Sequence, residues 1–210
     1  MVIILIHGNM ISVLTGDIIN SRKLPSDVWM DGLKKILNTI GPNPSRWEIY
    51  RGDEFQLEID NPAEALQIAI QIKAYLKTLR LDARMAIGIG EKSHNAEKIS
   101  ESNGTAFVRS GELFEKLKKQ KVTLAISSGQ ADFDAKINLM LRLGLTFMNQ
   151  WLVQSAELVL VAIENQSLSQ EEIGQRLGIN QAAVSRRRKR ANFDLVLELE
   201  NYYSENIQKK

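Results

Sequence analysis

Residues 169–190, SQEEIGQRLGINQAAVSRRRKR, leave little choice of local fold: they predict two short helices set about a glycine, the second ending in five consecutive basic residues. Ile173 and Leu177 lie four apart on one helical face, Gly174 is small enough for a second helix to approach, and Gly178 ends the first helix. Ile179 and Val184 seat the second helix, which gathers Gln181, Ser185, Arg186 and Lys189 on the opposite face. An exposed face of that kind suits a DNA major groove, where Gln and Arg pair with base edges and other cations sit near phosphates. Arg187 and Arg188 follow Val184 at i+3 and i+4, so one of them must lean towards the core and turn its head outward. With Arg190 they are expected to hold the DNA backbone or the fold. A run of charges alone would describe a solvated helix closing a bundle. It is the small residue, the turn glycine and the apolar seats occurring together that point to DNA.

The charge distribution agrees. The formal net charge is only +2, yet residues 166–193 hold six Lys/Arg against two Asp/Glu, while residues 1–150 hold nineteen against seventeen. At 210 residues and 44% hydrophobic content the chain can build one large or two modest cores. The absence of cysteine excludes disulfides and thiolate metal sites and agrees with a reducing cytoplasm. The apolar start MVIILIHGN lacks a basic leader and a cleavage site and is too short to span a bilayer, so a cytoplasmic protein without membrane attachment is expected. Met10 directly precedes the strand-like ISVLTGD, so residues 1–9 read as an extension ahead of an internal start or as a short extra strand.

Ile11 to Ile19 predicts a buried strand. Ser26 is placed to cap a helix with apolar positions Trp29, Leu33, Ile36 and Leu37, stopped by Gly41-Pro42. Trp47 to Arg51 and Phe55 to Ile59 alternate about Gly52-Asp53 as a hairpin, and Asn61-Pro62 opens a helix running to about Leu79. A strand over Leu81 to Gly90, a helix over Gly104 to Lys119 and a strand over Val122 to Ser127 follow. From Asp132 onward the pattern is helical, with Met140, Met148 and Trp151 on a side that reads as interdomain or dimer core. The fold class expected is α+β: a four-stranded antiparallel sheet backed by two helices, the ferredoxin-like or palm arrangement, with an added α-β unit, then an all-α helix-turn-helix domain. The boundary between residues 1–130 and 131–210 falls within Ser128 to Ala135.

In that arrangement the first strand and the hairpin's second strand are neighbours, so Asp17 and Asp53 converge at one edge of the sheet. Two carboxylates there are candidate magnesium ligands, and Ser21, Arg22, Lys23 and Arg51 are candidate contacts for nucleotide phosphates. Gly16-Asp17 and Gly52-Asp53 read equally as ordinary turn dipeptides. Gly88-Ile89-Gly90 lacks the rest of a dinucleotide fingerprint and reads as close strand packing. His94, in a polar loop with one other histidine in the chain, makes no zinc site.

The segment Tyr50-Arg51-Gly52-Asp53-Glu54-Phe55 resembles the hairpin of GGDEF diguanylate cyclases, and Leu14-Thr15-Gly16-Asp17-Ile18 is similar to the first metal-binding strand of class III nucleotidyl cyclases. Asp17 and Asp53 fall on the two metal positions. Arg51 stands where GGDEF proteins have their first glycine, and Phe107-Val108-Arg109-Ser110-Gly111-Glu112 lacks the asparagine and arginine of the next cyclase motif. Those departures imply a sensor of cyclase-like fold rather than a working cyclase. Four blocks carry a closer resemblance, to the SatD family: ISVLTGDIINSRKL, WEIYRGDEFQLEI, ARMAIGIGEK with ISESNGTAF, and the ending AVSRRRKRANF. That resemblance implies a bacterial cytoplasmic protein of the kind described as a transcriptional regulator. The combined expectation is a DNA-binding regulator, as a homodimer, with a front domain that senses a nucleotide with magnesium. A nucleotide-acting enzyme working at Asp17 and Asp53, and a protein-interaction module, are the alternatives.

Overall fold

A ten-residue run of apolar and small residues needs cover on both faces, and the first strand receives it. In a computed structural model, which describes residues 10–208, β1 (Met10–Ile19) lies mid-sheet and is buried continuously from Ile11 to Gly16. The elements that follow are α1 (Ser26–Ile40), β2 (Trp47–Tyr50), β3 (Glu54–Ile59), α2 (Ala65–Thr78), β4 (Asp82–Glu91), α3 (Thr105–Gln120) and β5 (Leu124–Ser127). Then come α4 (Ala131–Met148), α5 (Val153–Glu164), α6 (Gln170–Leu177), α7 (Gln181–Ala191) and α8 (Phe193–Gln208). The fold is α+β, with one five-stranded sheet in the order β2-β3-β1-β4-β5. The expected extension at residues 1–9 lies outside the described residues.

β2, β3, β1 and β4 pair antiparallel, and β1 sits beside β3. These are the four strands expected to be antiparallel, and the strand of the added α-β unit, β5, pairs parallel with β4. A parallel neighbour requires a crossover, and α3 supplies it. α3 covers one face of the sheet, where Ile11 and Val13 meet Ile99, Ala106 and Phe107. Its approach explains Gly88 and Gly90: a Cβ on Gly88 would lie 2.3 Å from the Ala106 carbonyl oxygen, and one on Gly90 would lie 2.8 Å from the Ala106 nitrogen. The close packing is therefore of helix on strand. The expectation at α1 is corrected: its N-cap residue is Pro25, with no side-chain cap from Ser26. Asn61 does cap its helical turn, its side chain accepting from the Ala63 N–H.

α1 and α2 cover the other face, where Trp29, Leu33, Leu37, Leu66 and Ile70 pack on Leu14, Phe55 and Leu57. That core continues into the helical segment without a break. α5 packs on α2, with Gln67 Nε2 donating to the Ile163 carbonyl at 3.0 Å, and Tyr203 of α8 donates its hydroxyl to the Pro62 carbonyl at 2.6 Å. Met148 and Trp151 are buried in this core, whereas Met140 stays exposed. No helix among the described residues is long and apolar enough to cross a membrane.

Candidate functional site

α6 starts in a reciprocal cap: Ser169 Oγ accepts from the Glu172 N–H, and the Glu172 carboxylate accepts from the Ser169 N–H at 2.8 Å. Those hydrogen bonds from Ser169 favour the charged form and hold the Glu172 carboxyl below its ordinary range. Gly178 ends α6 with φ of 64°, in the left-handed region that favours glycine. The Ile179 N–H then donates back to the Gly174 carbonyl at 2.9 Å. A Cβ on Gly174 would lie 2.6 Å from the Ile179 oxygen, so the small residue makes room for the turn itself. Asn180 caps α7, its side chain accepting from the Ala183 N–H at 2.8 Å.

α7 turns Val184 and Ala191 inward, and Trp151 Nε1 fixes its C-terminal end by donating to the Ala191 carbonyl at 2.9 Å. Gln181, Ser185, Arg186, Lys189 and Arg190 are exposed, and among the described residues their side chains form neither hydrogen bonds nor ion pairs. Arg187 and Arg188 behave differently. Arg187 Nη1 lies 2.9 Å from Glu157 of α5, and Arg188 lies 2.6 Å from Asp194 with its guanidinium 5.0 Å from the Phe193 ring centroid. The five consecutive cations thus divide into three that face solvent unpaired and two that tie α7 to its neighbours.

At the other end of the chain, sheet register lines up Glu54, Asp17 and Arg84 across β3, β1 and β4. Arg84 Nη1 donates to Asp17 Oδ2 at 3.1 Å, and Lys118 of α3 lies 3.2 Å from Glu54. Burial nevertheless dominates at Asp17 and pushes its carboxyl above the ordinary value, against the pull of Arg84 and Lys118. Asp53 approaches through the backbone, its carbonyl accepting from the Ile18 N–H at 3.1 Å, while Ser21 donates its hydroxyl to the Asp53 carboxylate. Asp17, Asp53, Ser21, Arg22 and Lys23 line one cavity of about 470 Å³, with Arg84. Arg51 lines a neighbouring cavity of about 270 Å³ with Ser21, Arg22, Asp53 and Trp29. Arg51 takes a left-handed backbone with φ of 53°, ahead of Gly52 at 91°.

The two carboxylates do reach one cavity, but as arranged they do not fit a magnesium ion. Asp17 Oδ1 is buried and free of partners, as such an ion would want, yet Oδ2 already faces the Arg84 guanidinium and Asp53 is held by Ser21. Among the described residues no three His, Cys, Asp or Glu side chains gather to hold a metal. Arg84, Lys118 and Trp29 are additions to the residues expected from sequence. Trp29 is 2% exposed, and its indole Nε1 is buried without a hydrogen-bond partner.

The model of the SatD family matches residues 11–206, nearly the whole described chain. The chain belongs to the SatD family. No curated protein matches this SatD-family chain. Among solved structures it is similar to a bacterial light-regulated adenylyl cyclase, at 14% identity and a TM-score of 0.39, over 57% of this chain and 43% of that one. The SatD-family chain therefore spans less than half of that structure's length, and a likeness of that size carries no weight for fold or function.

Proposed function

We propose that the protein is a DNA-binding transcriptional regulator in which α6 and α7 act as a helix-turn-helix and α7 enters the major groove. The observation that carries this reading is the division of the basic run on α7. Arg187 and Arg188 are tied to Glu157 and Asp194, whereas Arg186, Lys189 and Arg190 stand unpaired beside Gln181 and Ser185. Gln181, Ser185, Arg186 and Lys189 are the candidates for base edges, and Arg190 is a candidate for phosphate. Selection from fragmented genomic DNA, followed by fluorescence anisotropy over a salt series, tests it. Binding should weaken as salt rises, with log K falling by about 0.9 per phosphate contact for each decade of salt. Failure to enrich any fragment would sink the reading.

A second reading concerns the front cavities, in which the cyclase-like, ferredoxin-like half serves as a nucleotide sensor and not an enzyme. It rests on Arg22 and Arg51, which line one cavity with Ser21 and Trp29 next to the start of α1. A phosphate oxygen is the group such donors would take. Ser21, Arg22, Lys23 and Arg51 are its proposed contacts, and magnesium would require Arg84 to release Asp17. Thermal shift with a nucleotide panel, with and without magnesium, followed by product analysis, tests this reading. Stabilisation without turnover supports a sensor, and turnover abolished by Asp17→Asn would make the protein an enzyme. No shift with any nucleotide removes the reading.

A further inference from the structure

Asp17, Asp53 and Glu54, the three carboxylates at one edge of the sheet, are each answered from within the chain. Asp17 and Arg84 face each other across β1 and β4, with Arg84 Nη1 3.1 Å from Asp17 Oδ2. Glu54 has Lys118 at 3.2 Å, and the Asp53 carboxylate accepts from the Ser21 hydroxyl. The cations in the turn after β1 are not answered. Arg22 and Lys23 are exposed, and neither forms an ion pair among the described residues. The cavity they line therefore carries three cations, Arg22, Lys23 and Arg84, against the two carboxylates of Asp17 and Asp53. Its surplus charge is positive, the reverse of what a divalent cation requires and the condition for holding an anion.

Arg84 stands on the Asp17 oxygen that a metal ion would need. One N–H of its guanidinium is spent on Asp17, while Nε is buried without an acceptor and Nη2 forms no hydrogen bond among the described residues. The register of β4 against β1 and the pair with Asp17 fix its position before any ligand arrives. A guanidinium held in this way offers a planar fork that matches two oxygens of one phosphate and needs no metal to bridge them. We infer that this cavity holds a phosphate-bearing anion without a divalent metal, with Arg84 as the fixed cation and Arg22 and Lys23 completing the charge. This role for Arg84 rests on the sensor reading above and takes magnesium out of it. The cavity, of about 470 Å³, shares Ser21, Arg22 and Asp53 with its neighbour of about 270 Å³, so the phosphates of a free polyphosphate or of a nucleotide are both within its size.

Isothermal titration calorimetry of the full chain with pyrophosphate, ATP and GTP, each in EDTA and in excess magnesium, tests the inference. Wild type should bind in EDTA, and magnesium should not tighten the binding. Arg84→Ala should weaken metal-free binding on the order of tenfold or more, and Arg84→Lys, which keeps the charge without the fork, should fall between. Asp17→Asn gives an answer that does not depend on the Arg84 variants folding. It frees Arg84 and removes a negative charge, so phosphate should bind severalfold tighter, whereas binding through a metal on Asp17 would be lost. Manganese alone, followed by electron paramagnetic resonance, should remain free in the presence of wild type. Binding that requires magnesium and is abolished by Asp17→Asn overturns the inference and leaves the sensor reading standing. So does manganese bound by wild type, or metal-free binding that Arg84→Ala leaves unchanged. No binding of any of the three anions in either condition removes both. Pyrophosphate bound as tightly as the nucleotides assigns the site to a free polyphosphate, and nucleotides bound more tightly assign it to a nucleotide, with Arg84 in the same role.

Discussion

The charged side chains of the sheet half and those of α7 differ in what answers them. Around the sheet, charges are met inside the fold: Glu58, 3% exposed, lies 2.6 Å from both Arg46 and Lys92, and the fully buried Lys73 lies 2.7 Å from Asp82. Asp17 has Arg84, and Glu54 has Lys118. On α7, three cations in five are left for solvent or a ligand. The difference separates charges that specify the structure from charges that are available for binding. Substitutions in the first group should change stability and leave DNA affinity alone, and those in the second should do the reverse.

Glu58→Ala should give the largest effect on stability. Removing it leaves Lys92 and Arg46 facing a buried vacancy, and because Asp60 still holds Arg46 the loss should be about 3 kcal/mol, at the lower end for a broken buried pair. Denaturant unfolding measures it, and a variant as stable as wild type would show that this network is not structural.

Lys73 offers a test of similar size through pH. Burial is the main cause that lowers its pKa, from 10.5 to about 8, against the pull of Asp82. A folded-state value below the unfolded one contributes stability that is present above pH 10.5 and is lost as pH falls through about 8. Wild type should therefore gain about 3 kcal/mol between those limits, taking 1.36 kcal/mol per pH unit. In Lys73→Met that part of the gain should vanish, while Asp82 keeps Lys77 at 2.8 Å. Unfolding free energies of the two proteins measured over the same pH series decide it, and parallel slopes would contradict it.

Arg186→Ala with Lys189→Ala is the reciprocal experiment. Arg186 and Lys189 on base edges should each cost about 1–3 kcal/mol of DNA affinity and relax sequence preference, whereas Arg190→Ala, on a phosphate, should weaken all sequences alike and lower the salt slope by about 1. The melting temperature should not move. A fall in stability without loss of binding would place α7 in the same class as the sheet.

How much of this was legible follows from the reach of each signal. Periodicity located β1, α1 and the β2–β3 hairpin because their patterns are local, and the Gly174 and Gly178 turn chemistry lies within one short stretch, although the Asn180 cap on α7 went unread there. The parallel pairing of β5 was not legible, since a four-residue strand carries no mark of its direction. Arg84 was missed for a related reason: it meets Asp17 across 67 positions, through a register that only the paired strands define. Trp29 read correctly as core from its helical spacing, but an unpartnered N–H is a property of its surroundings and leaves no trace in the sequence. The division within the arginine run lies between these cases. Helical geometry required one of Arg187 and Arg188 to lean inward, and only the placement of Glu157 and Asp194 shows that both are engaged.

Arg188→Ala should produce the smallest effect and the sharpest test of that division. Its pair with Asp194 is partly open to solvent, with side-chain exposures of 26% and 69%, and such pairs contribute about 0.2–1 kcal/mol. Stacking over Phe193 adds about 0.5–1 kcal/mol, because the Arg188 guanidinium stays open to solvent, and Asp194 also sits favourably in the first turn of α8. A stability loss of about 1 kcal/mol is therefore expected, equivalent to about 2–4 °C in melting temperature for a chain of this size. DNA affinity should fall less than in Arg186→Ala, and sequence preference should stay intact. Arg188→Lys separates the contributions, because it keeps the charge near Asp194 while losing the planar stack on Phe193. If Arg188→Ala instead lowers affinity as much as Arg186→Ala at unchanged stability, the tie to Asp194 opens on binding, and the two faces of α7 are not distinct in the bound state.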